Sequence, residues 1–179
     1  MARITLLTGP AASGKNTIAH VYATEFSAQC AVIDTDLLRW MLRNPHLAPW
    51  PTDPPDSPAQ QQHRLGIKHA CLLARSFVEN GYEVVICDAV GDGLARLYQA
   101  LLAGHDFRIV LLLPTWEEAL RRLKSRPPTI TEAEARLVYD QQNQLSVYTL
   151  KIDNSDLTPQ AVATRLVTGS ESHQTGEGR

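Results

Sequence analysis

Cysteine is scarce in this chain. Only Cys30, Cys71 and Cys87 occur among its 179 residues, an odd number, widely spaced and without a CxxC pair. That pattern argues against a disulfide framework and a zinc site of paired thiolates, and it suits small buried hydrophobes in a reduced, intracellular protein. Neither sign of charge is in excess: 17 Lys+Arg and 19 Asp+Glu leave a net charge of −2. No field of the whole molecule therefore attracts nucleic acid or an anionic membrane, and any basic site has to be local. No apolar run approaches the ~20 residues that span a bilayer, and the one in MARITLLTGP is too short for a secretory signal. The expectation is a soluble, cytoplasmic protein with no membrane partner. The six histidines form no ligand constellation, and no internal repeat is visible.

What is present is a rhythm of short β-rich runs and helical patterns. RITLLT (3–8), CAVID (30–34), YEVVICD (82–88) and FRIVLLL (107–113) are near-continuous apolar runs, and YTLKID (148–153) is a weaker one. Such runs suit strands buried on both faces of a parallel sheet. KNTIAHVYATEFSAQ, QHRLGIKHACLLARSFVENG, GLARLYQALLAG and TWEEALRRLKSR lie between them with apolar residues three and four apart. Strand and helix in alternation imply right-handed crossovers, hence an α/β fold: a three-layer α/β/α sandwich around a mostly parallel five-stranded sheet, over residues 1–168.

Two segments break the rhythm. NPHLAPWPTDPPDSP (44–58) holds six of the eleven prolines, too many for a regular element. A binding loop, taken as 44–60 on the acceptor side, and a plain surface excursion both fit it. The polar, glycine-rich end GSESHQTGEGR (169–179) reads as a disordered tail.

GPAASGKN (9–16) follows the first strand and opens a helical pattern, satisfying GxxxxGK with Asn16 where a hydroxyl is usual and Thr17 after it. A helix N-terminus offers unpaired N–H groups and the positive end of a dipole, so a tight glycine turn into it cradles phosphate. Gly9 and Gly14 permit the turn and Lys15 brings an ammonium to the terminal phosphates. An Asn carbonyl oxygen is a weaker but usable ligand for a hard cation. In open α/β sheets, ligands bind beyond the carboxyl ends of the strands. IDTD at the second strand and VVICDAV at the third deliver Asp34, Asp36 and Asp88 to that edge. Asp36 and Arg39, three apart at a helix start, share a face and can address one ligand, although Asp36 also reads as a helix cap. LRRLKSRPP (120–128) packs four cations into 121–126. It reads either as a helix C-terminus suited to its dipole or as a lid, 121–131, that closes over a phosphoryl group.

These motifs resemble small P-loop kinases of the chloramphenicol phosphotransferase, shikimate kinase and polynucleotide kinase kinds. The GK-x-T ending is similar to that of nucleoside monophosphate kinases. The resemblance implies that Gly9, Ala11, Ala12, Ser13, Gly14, Lys15, Asn16 and Thr17 bind ATP. IDTD resembles the D-x-D of shikimate kinases and DLLR the D-x-x-R of polynucleotide kinases, which implies Asp34 on the metal side, Asp36 as base and Arg39 as its partner. VVICD resembles a Walker B strand and implies that Asp88 lies near Mg²⁺, with Asn16 and Asp34 as further metal residues. SRPPTI resembles the shikimate-type lid, implying that Arg126 acts on the transferring phosphoryl group and Arg122 stacks on adenine. KIDNSDLTP resembles the loop bordering adenine, implying a contact from Asn154.

Ala89 follows Asp88 where many P-loop ATPases carry glutamate, and no NKxD occurs, which favours transfer to a bound acceptor over hydrolysis and over a GTPase. The expectation is an ATP- and Mg²⁺-dependent kinase acting on a hydroxyl of a small molecule. The alternatives are a 5′-hydroxyl polynucleotide kinase, against which the slight negative charge argues, and a non-catalytic nucleotide-binding module. Arg64, Lys68 and Trp50 are secondary candidates for acceptor contacts, with a solvated helix face and a loop-packing tryptophan the plainer readings. Gly91 and Gly93 either let the chain approach the acceptor or turn it.

Overall fold

In the computed structural model, which describes residues 2–127 and 129–169, all five apolar runs are strands. They are β1 (Ile4–Thr8), β2 (Cys30–Asp34), β3 (Glu83–Cys87), β4 (Phe107–Leu112) and β5 (Leu150–Ile152), in the order β2-β3-β1-β4-β5. Every neighbouring pair is parallel, so the sheet is parallel throughout and not merely for the most part. Side chains alternate between its faces as a period of two requires. Ile4, Leu6, Val84, Ile86, Ile109 and Leu111 enter one buried cluster, whereas Leu7, Val85, Cys87, Val110 and Leu112 enter the other.

The helices are α1 (Lys15–Val21), α2 (Thr35–Trp40), α3 (Pro58–Glu79), α4 (Asp92–Leu101), α5 (Trp116–Lys124), α6 (Glu132–Asn143) and α7 (Pro159–Thr168). α3 and α4 supply Ile67, Cys71 and Tyr98 to the first cluster, and α1 and α7 supply Ile18, Val162 and Leu166 to the second. Cys71 and Cys87 are free and buried, and burial pushes both thiols up to about 12. The two residues serve as core hydrophobes.

The structure differs from the sequence expectation in several places. The first helical run gives way at Tyr22–Phe26 to a π turn. α5 continues to Lys124, so Arg121, Arg122 and Lys124 are helical; of the expected lid, 125–127 and 129–131 are non-helical and Pro128 lies outside the described residues. α6 was not part of the rhythm at all. Its inner face is closed by Ala135 and the polar Gln142, which removes the apolar periodicity that would announce it. It starts on a capping box between Thr131 and Glu134. Of the expected tail, Gly169 is the left-handed cap of α7, and 170–179 lie outside the described residues.

Register sets the functional edge. Leu7 and Asp34 both stand opposite Cys87, so β1, β2 and β3 end level and release the glycine loop, Asp34 and Asp88 at one rim.

Candidate active site

The glycine loop is shaped by close approach. A Cβ on Gly9 would lie 2.3 Å from the Leu112 carbonyl oxygen and 2.8 Å from Ser13 Oγ. Ala12 (φ 62°) and Gly14 (φ 89°) adopt the left-handed conformation, and Gly14 caps α1 without any side-chain bond to the first turn. The leading N–H groups of α1 are thus left for an anion. Lys15 Nζ folds back to donate to the carbonyls of Gly9 (2.8 Å) and Pro10 (3.0 Å). Burial holds its pKa below the usual 10.5, while the carboxylates of Asp36, Asp88 and Asp34 act in the opposite sense. Gly9→Ala is expected to cost about 3 kcal/mol, because backbone and not a flexible side chain has to yield. In a domain of this size that is a fall of roughly 6–12 °C in Tm, measurable by thermal melting.

The three aspartates occupy different situations. Asp34 caps α2 by accepting from Asp36 N (2.9 Å) through Oδ1 and accepts from Asn16 Nδ2 (2.6 Å) through Oδ2. The cap is therefore Asp34, not Asp36. A carboxylate neighbour requires the NH₂ side of the Asn16 amide, which leaves Asn16 Oδ1 without a protein donor among the described residues. Asp36 is two-thirds exposed and ion-paired with Arg39 alone. Asp88 is buried and saturated: His63 Nε2 (3.1 Å), Tyr98 Oη (2.9 Å) and Ala89 N (2.8 Å) all reach it. Burial opposes its charge, but His63, Arg39 and Tyr98 together hold its pKa below the usual 3.8. Arg39 bridges the two acids, with Nη1 3.9 Å from Asp88. Its stem passes over Gly66 of α3, where a Cβ would sit 3.1 Å from Arg39 Cγ.

A cavity of about 540 Å³ joins these groups. From the loop it collects Ala11, Ala12, Gly14, Lys15, Asn16 and Thr17, and from the next two strand tips Asp34, Asp36, Arg39 and Asp88. Trp50 with its flanking prolines, Gln60, His63 and Gln141 also line it. The proline-rich segment is thus a cavity wall and Trp50 faces the site. Arg126 also lines the cavity, and its guanidinium has no protein partner among the described residues. The other cations of 121–126 are engaged elsewhere. Arg121 is bidentate to Glu118, whose carboxyl these bonds pull down to about 2. Arg122 binds Glu118 and the carbonyls of Asn154 (2.7 Å) and Ser155 (3.0 Å). Asn154 in turn donates to the Ser13 carbonyl (2.8 Å), leaving its own Oδ1 buried and unpartnered. Arg122 and Asn154 brace the phosphate loop from behind and do not line the cavity. Lys68 is exposed and stands apart, and Arg64 donates to the Pro55 carbonyl.

His63 lines the site, and Tyr98, Gly66 and Gln142 contact residues around it, without any motif announcing them. Gln142 is fully buried, accepts from Thr8 Oγ1 (2.9 Å) and donates to the Val90 carbonyl (2.9 Å), tying α6 to the tips of β1 and β3. A buried glutamine beside a strand end was the only trace of this in the chain, and it becomes legible only once α6 is placed.

A parallel sheet in this order, with a glycine loop leaving its central strand, is the P-loop nucleoside-triphosphatase fold. The chain belongs to the AAA domain family, whose model matches residues 4–148. Among solved structures it is similar to the tunicamycin resistance protein of Deinococcus radiodurans, with TM-score 0.69 and 20% identity over 94% of this chain and 95% of that one. The APS kinase of Mycobacterium tuberculosis in complex with AMPPNP and APS is similar at TM-score 0.67 and 20% identity, over 93% and 96% of the two chains. The shikimate kinase of Acinetobacter baumannii in complex with shikimate follows at TM-score 0.61 and 16% identity, over 94% and 92%. No curated protein matches the chain by sequence. Among the described residues, no helix is long and apolar enough to cross a membrane.

Proposed function

We propose that the protein is an ATP-dependent kinase that transfers the γ-phosphoryl group to a hydroxyl of a small-molecule acceptor. The observation that carries this reading is the Asp36–Arg39 pair, which lines the same cavity as the uncapped phosphate loop. The acceptor oxygen attacks the γ-phosphorus, its proton passes to the Asp36 carboxylate, and the bond to the bridging oxygen breaks to leave ADP. Asp36 is suited to this because, unlike Asp34 and Asp88, it is not already bonded to backbone or buried donors. Arg39 is held by Asp88 from beneath and orients Asp36 and the acceptor. Lys15 leaves its carbonyl partners to meet phosphate, and Arg126, which lines the same cavity and has no partner among the described residues, stabilises charge on the group in transit.

Oxygen donors at the loop's end suit a hard cation. Asn16 Oδ1 and Asp34 would hold Mg²⁺, whose chemistry when bound is to neutralise charge on the β- and γ-phosphates. Asn16→Leu is expected to raise the Mg²⁺ concentration for half-maximal activity about tenfold or more, with ADP affinity in chelator unchanged. An unaltered Mg²⁺ requirement would remove Asn16 from the metal shell.

The test of the function is ATP-dependent incorporation of labelled phosphate across a panel of sugars, nucleosides, antibiotics and metabolic acids. Transfer to one class, lost in Asp36→Asn, is the expected result. Background turnover with every acceptor despite tight ATP binding would favour a non-catalytic nucleotide-binding module. A second reading, a 5′-hydroxyl polynucleotide kinase, is favoured by the D-x-x-R geometry of Asp36 and Arg39, and a steep fall of oligonucleotide affinity with salt would support it.

A further inference from the structure

A second space adjoins this cavity beyond Pro51 and Gln60. A second cleft of about 460 Å³ runs between the proline-rich segment and the start of α4 and end of α6. Pro51, Gln60, Leu94 and Gln141 line both, so the two spaces adjoin along these side chains. Together they reach the upper end of the ~300–1,000 Å³ typical for drug-sized ligands, more than one sugar ring beside a phosphate needs.

The lining of the second cleft indicates what would fill it. Its charges are already spent on the protein. Asp92 accepts from Ser146 N and Val147 N, Asp53 accepts from Trp50 N, and Arg64 donates to the Pro55 carbonyl. A ligand anion would face two carboxylates and a single engaged guanidinium. The unspent groups are neutral: the side-chain amides of Gln141 and Gln144 bond to none of the described residues, and Pro51, Pro55 and Leu94 give apolar wall. Gln141 is set in place by Gly91, where a Cβ would come within 3.0 Å of its Nε2. Side-chain amides offer donor and acceptor together, which suits hydroxyl, carbonyl and amide groups of an uncharged molecule.

We infer that this cleft is a distal acceptor subsite, and that the acceptor is an uncharged, hydrogen-bonding molecule of at least two linked rings. One ring presents its hydroxyl at Asp36 and the other lies past Gln60 against Gln141 and Gln144. The inference rests on the kinase reading for the role of Asp36, but the cleft can be tested by binding alone.

Gly93 gives a clean probe. It sits in the first turn of α4 on the cleft wall, and a Cβ there meets nothing within 4 Å, so Gly93→Phe adds a bulky ring at the cleft from a position with open space around it. Dissociation constants are measured by ligand-observed NMR on the ADP-loaded protein. The probes are uridine, maltose and p-nitrophenyl glucoside as neutral two-ring compounds, ribose and glucose as single-ring counterparts, and p-nitrophenyl glucuronide as the anionic match. At least one neutral two-ring probe should bind about tenfold or more tighter than its single-ring counterpart and than the glucuronide. Gly93→Phe should abolish that advantage and leave ADP affinity and melting unchanged. Equal binding of one- and two-ring probes, preference for the glucuronide, no binding by any two-ring probe, or indifference to Gly93→Phe would each overturn the subsite. Failure of the kinase reading shows separately, as ATP that binds without phosphate transfer in the panel above.

Discussion

Asp36→Asn is expected to slow phosphate transfer by about 10²- to 10⁴-fold, the usual contribution of a positioned general base. ATP affinity should stay within about threefold, because Asp36 touches none of the loop residues that would grip phosphate; its protein partner is Arg39. The amide keeps the shape of the carboxylate but cannot take a proton and no longer holds the guanidinium by charge. Asp36→Glu separates these effects, since it keeps the charge and shifts the oxygen, and should recover part of the rate. Steady-state kinetics with nucleotide titrations read both quantities. Full activity in Asp36→Asn would remove the residue from the mechanism.

The second large effect is on stability. Asp88→Ala strips the partner from Tyr98 Oη, from His63 and from the inner side of Arg39, all at a side chain only 2% exposed. Removing one member of such a buried, hydrogen-bonded group costs roughly 3–5 kcal/mol, since the others are left charged or unsatisfied away from water. At this chain length Tm should fall on the order of 10 °C or more. The pH dependence has a definite sign. Because the folded-state pKa of Asp88 lies below the usual 3.8, its contribution is fully present above about pH 4 and is lost as pH falls through the depressed value. The gap between wild type and Asp88→Ala should therefore be flat near neutrality and narrow only in acid. His63→Ala and Asp88→Ala should fall short of additivity, as partners in one network do.

Much of this arrangement was legible in the chain because it is local. A glycine turn between a buried strand and a helix, and aspartates just after two further strands, are features of consecutive residues, and the parallel register then brings them to one rim. What could not be read is carried by contacts far apart in sequence. His63 meets Asp88 across 25 residues and Gln142 meets Thr8 across 134, with no spacing rule to announce either. The arginines of 121–126 illustrate the limit. Composition placed four cations together, but only the surrounding carboxylate and carbonyls show that Arg121 and Arg122 are occupied while Arg126 is not. The proline-rich segment had two readings in the sequence, and its place on the cavity wall depends on α3 folding back against it: Gln60 donates to the Trp50 carbonyl (2.9 Å) and Gln62 to that of Pro45 (2.9 Å).

A crystal structure of the protein soaked with Mg²⁺ and AMPPNP is the sharpest single measurement. The γ-phosphate should be wrapped by the turn after β1, with Lys15 swung off Gly9 and the carboxylate of Asp36 looking across the acceptor space toward it. A nucleotide seated elsewhere, or a terminal phosphate turned from Asp36 with the turn still closed on its own lysine, would contradict the account.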